Sequence, residues 1–430
     1  MTITVIGHGY VGLVTACVFA DFGNHVWVIG HTKEKVARLK SGDPIIYEPG
    51  LKELLQKNIQ AKRISFTLDY EKAIPESEIV FITVGTPPKE TGEADLTAVI
   101  EVARNIGKNL KSKFTVVSCK STVPVGTNKK IEVIINRHKS KQVDFAVASC
   151  PEFLREGTGI SDTINSDRVV IGSDNKQAIQ KLIELHKPIS GKRVITNLAS
   201  AEMIKYASNV FLANKISFAN LISFYCEKTG ANVNEVLTGV GIDERIGNKF
   251  LSPGLGYGGS CLPKDVKAFL DIGKRSFVDT QLLTAIEDIN TKAQVNFLEK
   301  IIKYSPGKKV AIWGLSFKPN TDDIRFAPSV FIIKKLLEQG FQISAYDQEA
   351  TTNMKKIFSD QILYSKDPYQ AVNKADALII ITEWNEFKQI DLSQVKKLMK
   401  NPTIFDGRNI YDPSDLKKLG FKYYSIGRPQ

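Results

Sequence analysis

The stretch GYGGSCLPKD, residues 256–265, holds one cysteine between a glycine cluster and a Pro-Lys-Asp triplet. The glycines let the backbone come close to a ligand. Pro263 favours the first turn of a helix, which puts Cys261 at that helix's positive end. A thiol so placed has a lowered pKa and reacts as the thiolate. Most free cysteines are small buried apolar residues instead, so the rest of the chain has to justify a nucleophile here. Lys205 and Asn209 lie one helical turn apart and share a face. Helix lysines are usually solvated, yet Ala201, Met203, Ile204, Ala207, Val210 and Phe211 leave little polar surface around this one. A partly buried lysine beside an amide suits an oxygen acquiring negative charge. CPEFLREG adds Glu152, Arg155 and Glu156 at the end of a strand-like run. Acids around an arginine are often a plain surface ion cluster; the strand-end position raises the functional reading.

Gly7, Gly9 and Gly12 form G-x-G-x-x-G after the strand-like TITVIG and before a helical run. In that context the first glycine makes the turn, the second admits a pyrophosphate and the third packs helix on strand. The pyrophosphate sits on amides of the helix start, so Tyr10 and Val11 count with the cofactor residues. One element is missing. The acid that binds the adenosine ribose, about 20 residues on, is replaced by Gly30, followed by His31, Thr32, Lys33 and, nearby, Lys35. The expectation is NAD, with room for NADP because no carboxylate repels a 2′-phosphate.

These residues need a scaffold. TITVIG, HVWVIG, EIVFITVG, FTVVSCKS and DFAVASC alternate with amphipathic runs, which implies βαβ units and a parallel sheet. A long helical segment follows over 196–229, ended by Gly230, with more helix to about 303. YSPGKK reads as a linker. Strand–helix alternation then restarts with KVAIWG, FQISAYD, ALIIITEW and PTIFDGR. The expected fold is α/β: two doubly wound Rossmann-like domains, 1–195 and 304–430, joined by a central helical domain, 196–303.

Composition narrows the function classes. An apolar content of 43% and a charged content of 24% are ordinary for a globular chain. The five cysteines are scattered, with no Cys-x-x-Cys pair, which argues against a disulfide framework or a zinc site and fits a reducing cytosol. YVGLVTACVFA superficially resembles a signal segment but lacks a basic flank. No stretch is long and apolar enough to span a bilayer. The net charge of +12 comes from dispersed lysines, so neither nucleic acid nor a membrane is expected as partner, and an anionic substrate is.

Over nearly its whole length the chain resembles the UDP-glucose 6-dehydrogenase group of the UDP-glucose/GDP-mannose dehydrogenase family. The strings that carry the resemblance are GHGYVGL, YEPGL, VGTPP with GEADL, STVPVGT, PEFLREG, EMIKYASNVFLANKISF, GIDERIG, GYGGSCLPKD, GLSFKPNTDDIR and TEWNEF, in the family's order. The resemblance implies a cytoplasmic enzyme that oxidises a nucleotide sugar twice at its sixth carbon with NAD. Cys261 then attacks the aldehyde, and a thiohemiacetal becomes a thioester that water hydrolyses. Such a four-electron oxidation through an acyl-enzyme needs a nucleophile. The matching positions imply that Lys205 and Asn209 stabilise oxyanions, Asp265 and Thr122 hold a water, and Glu152 assists hydrolysis. Glu152, Phe153, Leu154, Arg155, Glu156, Lys205, Asn209, Phe250, Leu251, Gly254, Gly258 and Lys318 match substrate positions. Thr86, Thr122, Glu156, Lys264 and Arg325 match cofactor positions. Arg245 matches an arginine that reaches a neighbouring subunit's substrate, implying a homodimer on the central helices. The Asp-Arg of SDTINSDRVVIG resembles UDP-glucose enzymes, with GDP-mannose the nearest alternative. A β-hydroxyacid dehydrogenase would share the N-terminal fold and the Lys/Asn helix but needs no Cys261; a non-catalytic NAD-binding protein would need neither.

Overall fold

The computed structural model describes residues 1–111 and 114–429, which fall into two compact units, Met1–Ser208 and Asn209–Gln430. The first unit is built on eight strands: β1 Thr2–Ile6, β2 His25–Ile29, β3 Ile64–Thr67, β4 Ile79–Ile82, β5 Thr115–Cys119, β6 Phe145–Ser149, β7 Arg168–Gly172 and β8 Lys192–Thr196. Their order is β3-β2-β1-β4-β5-β6-β7-β8. All pairs are parallel except β6 with β7, which meet antiparallel at Ser149 and Gly172. The first six strands thus have the doubly wound order whose reversal lies between β1 and β4, and ligands bind at the strands' carboxyl ends there.

Both faces of this sheet are covered, so its strands read as apolar runs with alternate residues serving opposite cores. Ile3, Val5, Ile79 and Phe81 enter one cluster, whereas Ile6, Val80 and Ile82 enter the other. The helix α1, Tyr10–Asp21, is buried from Gly12 to Ala20. A helix apolar on all sides belongs in a core, which explains the apolar YVGLVTACVFA. The next helix, α2, spans Lys33–Lys40 and buries only Val36 and Leu39.

The helix Leu198–Thr229 begins in the first unit and continues into the second. Three further helices follow, Val233–Ile242, Leu262–Arg275 and Gln281–Tyr304. A six-stranded parallel sheet completes the second unit: β9 Lys309–Trp313, β10 Gln342–Tyr346, β11 Leu363–Tyr364, β12 Ala377–Ile380, β13 Thr403–Asp406 and β14 Lys422–Tyr424. Its order, β11-β10-β9-β12-β13-β14, repeats that of the first six strands. The two Rossmann-like sheets and the helical region between them in sequence agree with the expected fold class. Among the described residues, no helix is long and apolar enough to cross a membrane.

Candidate active site

The glycine motif sits at the carboxyl end of β1, beside the topological reversal. Gly9 caps α1 in an extended conformation and offers no side chain to the free amides of the helix start, and the first turn holds no acid. Those amides are therefore left for an anion. Gly7 has φ +118°, and a Cβ on Gly12 would strike the Gly7 carbonyl oxygen and, at 2.5 Å, the Thr83 hydroxyl. At Gly9 a Cβ would meet nothing within 4 Å, so this side of the turn is open to a ligand. The cradle fits a dinucleotide pyrophosphate. Thr83 locks it by donating its hydroxyl to Ile6 O at 2.9 Å.

Tyr10 is less free than its motif position implies. Its hydroxyl donates to the Glu48 carboxylate and accepts from the Gly157 amide at 2.9 Å. Burial, then the Glu48 carboxylate, pushes its pKa well up. Glu48, itself buried, also accepts from the Gly157 amide at 2.6 Å. This carboxylate ties the start of α1 to the loop carrying Arg155 and Glu156. The string YEPGL contained it, but no spacing rule pointed to its role.

Thr86 follows β4 and Thr122 follows β5; the Thr86 hydroxyl donates to Thr122 O at 2.8 Å. Beyond β6, Glu152 and Lys205 form a buried ion pair, Nζ to Oε1 2.9 Å, with side chains 7% and 5% exposed. The second carboxylate oxygen of Glu152 accepts from Leu154 N at 2.8 Å. Phe153 lies beneath two cations, Lys205 with Nζ 5.2 Å from the ring centroid and Arg168 at 3.9 Å. Arg155 is engaged differently: its guanidinium grips Asp162 with two bonds of 2.7 and 2.9 Å at the surface. Lys120, buried, donates to Cys150 O at 3.3 Å. Desolvation depresses its pKa. Sequence reading passed over it because it looks like any strand-end lysine.

The second unit holds the thiol. Cys261 is the N-cap of Leu262–Arg275, with Pro263 in the first turn, and it is exposed. The other four cysteines are buried, and desolvation pushes those of Cys17 and Cys119 up to about 12. The preceding loop is crowded against its surroundings: Gly259 has φ +80°, and a Cβ there would press 2.7 Å from the Phe317 ring. One turn into the helix, Asp265 is 1% exposed. It accepts from Asn209 Nδ2 at 2.5 Å and from the Lys264 ammonium. The structure therefore gathers Asn209, Lys264 and Asp265 into one cluster beside Cys261 in sequence. Lys205 and Asn209 remain one turn apart on a single helix, as their spacing implied.

The other expected substrate and cofactor residues are distributed. Gly254 N donates to Asn220 Oδ1 at 2.8 Å, and Leu251 is buried. Phe250 has φ +62°. A Cβ on Gly258 would strike Phe326 O. Lys318 Nζ lies 5.7 Å above the Phe317 ring. Arg325 pairs with Asp323 and Arg245 with Asp243, each contact 2.6 Å, and both guanidinium groups are exposed. Val11 and Glu156 are partly buried, whereas Lys35 is exposed.

Three models of the UDP-glucose/GDP-mannose dehydrogenase family match the chain: the NAD binding domain over residues 1–190, the central domain over 199–292 and the UDP binding domain over 311–413. The chain is 45% identical over 430 residues to the UDP-glucose 6-dehydrogenase TuaD of Bacillus subtilis, covering 99% of this chain and 93% of that protein. It is 44% identical to the UDP-glucose 6-dehydrogenase of Rhizobium meliloti, covering 100% of both. A solved UDP-glucose dehydrogenase from Pyrobaculum islandicum superimposes with a TM-score of 0.92 at 35% identity, covering 99% of this chain and 98% of that one.

Proposed function

This chain belongs to the UDP-glucose/GDP-mannose dehydrogenase family, and from that premise we propose that it oxidises UDP-glucose to UDP-glucuronate with NAD. The observation that carries the mechanism is Cys261, an exposed thiol at a helix start among otherwise buried cysteines. Bound NAD supplies the hydride acceptor for each of two oxidations. The chain's own residues do the rest. Lys205 and Asn209 stabilise the negative charge on the C6 oxygen as its proton passes to a bound water and the hydride departs from the C6 carbon. The Cys261 thiolate adds to the resulting aldehyde carbon, and the same donors hold the hemithioacetal oxygen. Loss of the hemithioacetal's hydroxyl proton to water and of a second hydride from C6 leaves a thioester. Water, held by Asp265 and Thr122 and assisted by Glu152, releases the acid and returns the thiol.

The substrate-contact and cofactor-contact residues are those the family pattern matched, with domain boundaries at 195/196 and 303/304. UDP-glucose is preferred over GDP-mannose on the strength of the curated relatives and of the Asp167-Arg168 pair in SDTINSDRVVIG, which resembles UDP-glucose enzymes. A homodimer through the central helices is supported by Phe211, Phe218 and Tyr225. They are 62%, 43% and 63% exposed and recur at seven-residue spacing along one helix face. We place the enzyme in the cytoplasm. The deciding experiment mixes the purified protein with NAD and either UDP-glucose or GDP-mannose. The proposal expects two NAD reduced per UDP-glucose consumed, with the uronic acid as product; one NAD per sugar, or turnover with GDP-mannose alone, refutes it.

A further inference from the structure

We propose that the end of β2 is a binding site for the 2′-phosphate of NADP, built from His8, His31 and Lys35. The inference rests on the dinucleotide site of the NAD binding domain and concerns only its adenosine end. In doubly wound domains a strand-end acid at this position takes the ribose hydroxyls, and a basic group takes a 2′-phosphate. Here the position is Gly30, and the space a side chain would need is filled. A Cβ on Gly30 would lie 2.5 Å from Val36 Cγ2 and 3.1 Å from the His8 ring. His8 is the variable residue between the first two glycines of the cradle, so its imidazole stands where the missing carboxylate would have reached.

That imidazole is 3% exposed, and among the described residues its Nε2 has no hydrogen-bond partner. A buried nitrogen without a partner is costly in a folded protein unless a ligand satisfies it. The exposed His31 ring packs edge-on against it with centroids 4.6 Å apart. Desolvation by burial, and then the neighbouring His31 and Lys35, lowers its pKa to about 4. The basic side chains beside the imidazole suit an added anion. At the start of α2, Thr32 makes no side-chain cap bond and leaves backbone amides for an anion next to Gly30, with the exposed Glu34 also in that first turn.

The test uses ligands that carry only the adenosine end. Calorimetry on the full-length protein compares adenosine 2′,5′-bisphosphate with 5′-AMP for the wild type, Lys35→Glu and His8→Ala. Charge-assisted bonds are each worth about tenfold or more in affinity. The wild type is expected to bind the bisphosphate at least as tightly as 5′-AMP, so that NAD and NADP are both accepted, and each variant to cut that ratio about tenfold. Lys35 is exposed, so its variant reads the phosphate without disturbing the core. A wild-type preference for 5′-AMP, or a ratio that neither variant moves, overturns the proposal while leaving dinucleotide binding intact. Binding of neither ligand overturns it by removing the adenosine site on which it rests.

Discussion

Replacing Lys205 with methionine separates two jobs of one ammonium group. The side chain keeps its length and apolar stem but loses the charge that lies 2.9 Å from Glu152. With both partners almost fully buried, the remaining carboxylate keeps the Leu154 amide and the field of Lys120 but no direct counter-ion. Breaking a buried pair in this way typically costs about 3–5 kcal/mol, and the nearby Lys120 places the expectation near the lower end. Catalysis should fall separately. Removing an oxyanion donor costs about 10²–10³-fold in kcat, or roughly 2.7–4 kcal/mol, and because the loss is confined to the transition state KM should hardly change. Urea unfolding and initial rates of NAD reduction would be measured for Lys205→Met, Glu152→Gln and the double variant. The pair predicts that the double variant is less destabilised than the two single losses combined, by well over the roughly 0.3–0.5 kcal/mol expected of independent sites. Additive losses would refute the stabilising pair. An unaltered kcat with a raised KM would refute the oxyanion role and leave Lys205 as a substrate-binding residue.

Three further outcomes follow from the same geometry. Cys261→Ser should stall after the first oxidation or accumulate an ester, because serine is far less readily deprotonated; intact-protein mass spectrometry and the NAD-to-sugar ratio check this, and uronic acid at the wild-type rate rules out the thioester. Asn209→Leu removes the 2.5 Å bond to buried Asp265 and should cost about 1.5–3 kcal/mol in stability, together with a fall in kcat; a urea midpoint unchanged from wild type would show that the bond contributes nothing net. Acid should destabilise the fold through His186, whose ring is buried between Phe19 and Phe81 and whose pKa desolvation lowers to about 3. The unfolded chain takes up that proton near the usual histidine value and the folded one does not, so stability is present above about pH 6.5 and falls by about 1.4 kcal/mol per unit from there towards pH 3. His186→Phe should flatten the melting temperature in this window, and a slope equal to wild type would refute the assignment.

The strands that the sequence displays openly are those of the sheet centres. TITVI, HVWVI, IVFI and TVVSC are mainly apolar because helices cover both faces, and all four appear as β1, β2, β4 and β5. The strands that sequence reading left unnamed lie towards the edges: ISFT, RVVIG and KRVIT in the first sheet, LY and KYY in the second. An edge strand has one neighbour and needs less apolar surface, so its pattern fades into the surrounding loops; β8 has no fully buried residue at all. The long helix was legible from its length, and Leu198–Thr229 falls within two residues of the expected span.

The site divides along a similar line. Placements set by a motif, such as the turn at Gly12, the helix start at Cys261 and the one-turn spacing of Lys205 and Asn209, were legible because turn geometry and helical spacing are local rules. Partners that arrive from distant sequence were not. Nothing near Tyr10 announces that Glu48 will hold it, and nothing near Glu152 announces Lys205 as its counter-ion. Gly30 is the most instructive case. Sequence alone reads it as the place of a missing acid. The structure shows that the neighbouring His8 and Val36 occupy the volume an added side chain would require. Val36 is β-branched and buried, so it has little rotameric freedom to move aside. The glycine is therefore one part of a packed arrangement, and Gly30→Asp would disturb the strand end as well as alter the charge. Changing Lys35 alters charge alone, and for that reason the cofactor question turns on the lysine.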